Sequence, residues 1–166
     1  MTTFPTWIRA ARLELGVHEG AGKDNNQRVL HYYERAGHGE IHDDDVPWCA
    51  AFVGAMLADV GIKGSHSLAA RSYETWGVSL QTPIYGCVGV KKRRGGAVWQ
   101  GHVGFVVAAS ADRIWLLAGN QGDAVSVASF PREDFTAFRW PARIAIPTDL
   151  VKLPTSGDGA INVSEA

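Results

Sequence analysis

His102-Val103-Gly104-Phe105-Val106-Val107-Ala108-Ala109, then Ser110-Ala111-Asp112, then Arg113-Ile114-Trp115-Leu116-Leu117-Ala118-Gly119-Asn120: two apolar runs meet at a short polar joint. Valine, isoleucine and aromatics suit a pleated, half-buried surface, and the joint has turn chemistry. The reading is an antiparallel hairpin. A turn centred on Ala111 sets residue 102 opposite residue 120. Directly opposed side chains have Cβ atoms about 4.5–5.5 Å apart, so His102 and Asn120 share one side of the sheet. A slip of one residue offers Gln121 instead and moves every partner to the other face. Alternation along the first run fits either register. Asn120 is preferred as the partner of His102, and Gln121 stays open as the alternative.

Outward from the hairpin, strands are expected over 86–92, 124–130 and 137–146, the last broken by Pro141. Upstream the period is helical. Trp7, Ile8, Ala11 and Leu15 mark a first helix stopped by Gly16. Asn25 or Asn26 caps a second helix to about Arg35, closed by Gly37. Pro47 opens a third, which runs to Val60 and ends at Gly61. A short fourth covers Leu68 to Trp76. Helices first and strands afterwards make an α+β arrangement. The expected domain is 1–146, with a Pro/Gly/Ser-rich tail or linker over 147–166.

A chain of 166 residues fits one domain with a sizeable core. A formal net charge of −1 gives no electrostatic reason for nucleic-acid or membrane-surface binding. No apolar run approaches the roughly 18 residues of a membrane span, and no secretory signal opens the chain. A protein made in the cytoplasm is expected. Two cysteines in unlike contexts, Cys49 and Cys87, read as free thiols.

Cys49 falls in Pro47-Trp48-Cys49-Ala50-Ala51-Phe52-Val53, at the start of the third helix. It shares a face with Phe52, Val53, Met56, Leu57 and Val60, so the helix aims it inward. Ala51, Gly54, Ala55 and Ala58 form a small-residue stripe that permits close approach of another backbone. Unpaired N–H groups and the helix dipole favour thiolate at such a position, and a nearby histidine can lower the pKa from about 8.5 to roughly 3.5–7.5. The same N–H groups can hold an oxyanion. Cys49 is read as nucleophile, His102 as base, and the amide of Asn120 as the group that fixes the imidazole. Cys87 reads as a buried structural thiol.

Four blocks in order resemble a known family: Pro47 to Val53, Ala69-Ala70-Arg71-Ser72-Tyr73, Gly101 to Val106, and Gly119-Asn120-Gln121. They are similar to small phage and prophage papain-like peptidoglycan hydrolases related to the CHAP and NlpC-type groups. The resemblance spans roughly His18 to Pro141. It implies a papain-like core, with N-terminal helices packed on an antiparallel sheet. It implies hydrolysis of a stem-peptide amide, as an endopeptidase or N-acetylmuramoyl-L-alanine amidase, with no cofactor. Cys49, His102 and Asn120 match the catalytic positions. Many CHAP domains carry glutamine where Trp48 stands. The implied partner is bacterial peptidoglycan, met by a monomeric endolysin after release from the host cytoplasm. An injected antibacterial amidase and a non-catalytic wall-binding module on the same fold are the alternatives.

Trp48, Tyr73, Trp76 and Trp99 are candidate groove aromatics, Trp48 first among them. Arg71 is a candidate fork for a substrate carboxylate, and Gln121 a further substrate contact. Asp43-Asp44-Asp45 reads as a solvated acidic loop beside the helix start, with calcium as the alternative. His38 and His42 suggest zinc only weakly, because no second ligand pair has matching spacing. No metal is assigned. Lys91-Lys92-Arg93-Arg94 reads as a solvated strand end that is able to favour an anionic wall.

Overall fold

The computed structural model describes residues 2–21 and 24–162. Helix α1 covers Thr6–Leu13, α2 Gln27–Arg35 and α3 Cys49–Ala58. A 3-10 turn over Ala70–Thr75 stands where a fourth helix was expected. The strands are β1 Val78–Leu80, β2 Val88–Lys92, β3 Gly101–Ala109, β4 Arg113–Ala118, β5 Ser126–Pro131 and β6 Phe135–Trp140. They form one sheet in the order β1-β6-β2-β3-β4-β5, with every pair antiparallel. The architecture is therefore α+β, as the order of periods implies.

Helix α3 is the centre of the core. Every residue from Cys49 to Leu57 is buried. A helix apolar all round must be enclosed, not laid on a surface. The small-residue stripe lets its neighbours close in: a Cβ on Gly54 would stand 3.0 Å from the Ala36 Cβ, just past α2. Asn26 caps α2 by accepting from the Arg28 N–H. Glu14, just past α1, is buried and held by Arg28 and Tyr32 of α2. That satisfies a charge that burial would otherwise make costly.

The hairpin reaches its expected register by an unexpected route. Its turn is tighter than a centre at Ala111 requires, because the Ser110 N–H donates to the Arg113 carbonyl at 2.9 Å. A bulge between Val106 and Ala108 then takes up one residue. Beyond it, Val106 pairs with Leu116 and Phe105 with Leu117. The two shifts cancel. The ladder to β4 ends there, and the first part of β3 pairs only with β2, Lys91 opposite His102.

Two further points differ from expectation. Strand β1, the three residues that directly follow Gly77, is too short to carry a periodic signal; it is fixed by pairing with β6. The stretch from 147, expected as a tail, lies along the domain. Thr3 and Leu150 form a parallel bridge, the Ala109 N–H donates to the Pro154 carbonyl, and α4 (Gly157–Asn162) buries Ala160. No helix among the described residues is long and apolar enough to cross a membrane.

Candidate active site

Cys49 is the first residue of α3, after Trp48 as N-cap. No side chain caps this helix start. Its first N–H groups are therefore left for other acceptors. The backbone of Val103, with that of Ala50, acts on the cysteine sulfur in the direction that favours thiolate. Val103 directly follows His102, so α3 presents the thiol to β3 beside the histidine. Cys49 and His102 line one cavity of about 620 Å³, together with Asn120, Gln121 and Phe130.

His102 is half-buried. Its Nε2 lies 3.0 Å from Gln121 Oε1, and its ring lies 5.6 Å, centroid to centroid, from Phe130. Gln121 is itself buried, and its amide nitrogen donates to the carbonyls of Leu116 and Ser126. Those bonds fix which end of the amide is oxygen, and so turn Oε1 toward the imidazole. An acceptor at Nε2 makes Nε2 the protonated nitrogen and leaves Nδ1 as the basic one. Gln121 thus occupies the orienting position for which Asn120 was preferred. The reason is local. Asn120 has a φ of 56°, in the left-handed region, so the chain leaves the extended path after β4 and the next side chain swings to the histidine. Asn120 lines the same cavity without a bond to His102 among the described residues.

The protonation state also departs from the sequence reading. Burial pushes the Cys49 thiol up, and the nearby backbone groups of Val103 and Ala50 only partly oppose it. Burial pulls His102 down to about 4; the Gln121 bond opposes this and the nearby Lys91 charge adds to it. The resting pair is neutral thiol and neutral imidazole. A helix start lowers a thiol pKa where water and a cation are close, but here burial of the thiol is the largest effect.

Three candidate substrate contacts lie elsewhere. Trp48 is fully buried, stacks on Tyr32 at 5.7 Å and donates from Nε1 to Glu19 at 2.7 Å. It is a core residue that anchors the start of α3. Tyr73 is 1% exposed and packs against Gly54 and Gly64. The Arg71 guanidinium is taken by Glu74 and by the Val98 carbonyl, so it ties down the loop before β3. Of the other aromatics, Trp76 lines a separate cavity near Pro141, and Trp99 stands exposed on the loop 93–100.

Cys87 is fully buried and pushed up to about 12, as suits a structural thiol. The ligand atoms of Asp43, Asp44 and Asp45 lie within 4.8 Å of one another, and these are the residues able to hold a cation. The loop is not simply solvated: Asp44 is buried and accepts from the N–H groups of Gly20 and Asn26. Both His38 ring nitrogens are engaged, by Glu40 and by the His66 carbonyl, so His38 and His42 form no zinc pair.

Phe130 is a cavity residue that the sequence reading missed, and Lys91, expected as part of a solvated strand end, is buried and lines the same cavity. A signal existed for each. Ser126, Ala128 and Phe130 recur with period two along β5 and all line the cavity. Lys91 follows from pairing β2 with β3 opposite His102.

The fold and site together define an α+β domain with a cysteine–histidine–glutamine constellation at a helix start. No family model matches the chain, and no curated protein matches it.

Proposed function

We propose that this domain is a papain-like cysteine hydrolase that cleaves an amide in the peptide part of bacterial peptidoglycan. One observation carries the reading: Cys49, at an uncapped helix start, lines one cavity with a histidine whose Nε2 is held by a fixed amide. The substrate class comes from the four sequence blocks that resemble phage and prophage wall hydrolases.

The arrangement suits acyl transfer. His102 Nδ1 takes the thiol proton as sulfur attacks the carbonyl carbon. The oxyanion accepts from N–H groups at the start of α3. The tetrahedral intermediate collapses, the C–N bond breaks, and His102 returns the proton to the leaving amine. Water, deprotonated by His102, then attacks the thioester and releases the acid and the free thiol. Gln121 holds Nε2–H throughout. A neutral resting pair means that proton transfer accompanies attack, instead of a stored thiolate doing the work.

The neutral pair also favours a second reading, a wall-binding module without turnover on the same fold. Purified peptidoglycan separates the two. Cys49-dependent release of new amines, located by mass spectrometry of the fragments, supports the hydrolase. Wall binding that is indifferent to Cys49→Ala, with no fragments released, supports the module. A phage or prophage endolysin is the biological role that best accommodates the hydrolase, and an injected amidase shares its chemistry.

A further inference from the structure

We infer that Lys91 and Arg93 form an anion-reading wall of the Cys49 cavity and receive a free carboxylate of the peptide bound there. This rests on the proposed peptidoglycan reading for its substrate and adds a selectivity to it.

The basic run 91–94 divides by direction. Lys91 and Arg93 both line the cavity, whereas Arg94 turns away to Asp134 and Glu133. Lys92 is exposed. Strand alternation turns Lys91 and Lys92 to opposite sides at the end of β2, and the turn that follows carries Arg94 away. Lys91 is only 7% exposed, which a solvated strand end would not be. Its Nζ sits 4.8 Å from the Phe130 ring centroid and donates to the Lys92 carbonyl at 2.9 Å. An ammonium has three donors, so two remain. Among the described residues no carboxylate forms an ion pair with Lys91, and the Arg93 guanidinium has no partner at all. Asp123, exposed on the β4–β5 loop, is the only carboxylate lining the cavity among those residues.

Asp134 acts on the Lys91 ammonium without pairing with it and is itself held by Arg94, so the buried charge is incompletely compensated unless something completes it. Here the missing group faces the cavity. Burial lowers the Lys91 pKa, with the neighbouring arginines adding to it and Asp134 opposing. A bound carboxylate would reverse that cost. Lys91 stands directly opposite His102, so the carboxylate lies close to the scissile amide. Arg71, the candidate fork of the sequence reading, is already occupied by Glu74, which leaves this wall as the cavity's cationic side.

The test uses the Cys49→Ala protein, which does not turn over. It is titrated calorimetrically at low salt with a stem pentapeptide whose carboxylates are all free, and with the same peptide fully amidated. The acid is expected to bind about 10-fold more tightly. Lys91→Met, checked for folding by its melting curve, removes most of that preference, and Lys91→Arg restores part of it. Arg93→Ala, at an exposed position, reduces it independently. Equal affinity for the two peptides, no binding of either, or a preference that survives Lys91→Met overturns the inference. Acid preference without any Cys49-dependent turnover keeps the carboxylate wall and sinks the hydrolase. Turnover without acid preference does the opposite.

Discussion

Gln121 Oε1 faces His102 Nε2 at 3.0 Å, although the register of the hairpin points residue 120 at residue 102. The pairing arithmetic holds as far as Phe105 and Leu117, and then the chain turns left-handed at Asn120. The two neighbours therefore separate by experiment. Gln121→Ala is expected to cut kcat/KM by about 10²–10⁴-fold, since it frees the imidazole tautomer and orientation. Asn120→Gly leaves the rate within a few-fold. Asn120→Ala costs about 1 kcal/mol of stability in a denaturant titration, because alanine keeps the Cβ but loses the short polar side chain that lets asparagine tolerate the left-handed region. A larger rate loss at Asn120 than at Gln121 would reverse the assignment.

Cys49→Ala removes the only nucleophile proposed. Loss of an essential triad member costs about 10⁶-fold in kcat in a well-studied protease, so fragment release should fall to background. The fold should survive, because a small apolar residue replaces a buried thiol. Melting temperature and wall-digestion assays, run on the same preparation, read both outcomes.

The pH dependence has a definite sign. His102 is neutral above its depressed pKa of about 4, and the Cys49 thiol loses its proton only above its ordinary range. The kcat/KM profile is expected to rise through pH 4 and stay flat across neutrality. Folding stability follows the same group. The unfolded chain binds a proton at His102 near pH 6.5, while the folded chain resists it until about 4. The stability from this group is fully present above pH 6.5 and is lost as pH falls toward 4. His102→Gln should flatten that part of the stability curve. An acid limb near 6.5 in the wild type would contradict the burial argument.

Trp48 is predicted to matter for stability and not for substrate affinity. Trp48→Phe deletes the Nε1 donor to Glu19 and is expected to cost about 1–3 kcal/mol, with KM unchanged. Trp48→Ala should cost about 3–5 kcal/mol and unsettle the helix that carries Cys49. A raised KM in a stable Trp48→Phe protein would return this ring to the substrate groove.

Gly119 tests how the Gln121 loop is seated. A Cβ there would lie 2.6 Å from the Trp48 ring and 2.7 Å from the Phe52 Cβ. Gly119→Ala is expected to lose about 1–3 kcal/mol and to lower activity beyond what the melting shift explains. The overpacking displaces the turn that carries Gln121. Unchanged activity would mean that the loop has slack.

Composition and period alone determined the α+β class, the helix that opens at Cys49 and the β3–β4 hairpin, whose first strand carries His102 to the cavity that Cys49 also lines. These follow from local regularities: apolar spacing, caps, glycine stops and turn residues act over a few positions and are written in order along the chain. The third member of the site, the resting charge of the pair and the destinations of Trp48, Tyr73, Arg71 and Lys91 were decided only in three dimensions. A tight turn and a bulge cancelled in register, one left-handed residue exchanged Asn120 for Gln121, and burial raised the thiol pKa at a helix start. Desolvation depends on what packs around a group from every direction, and one-dimensional spacing carries no record of that.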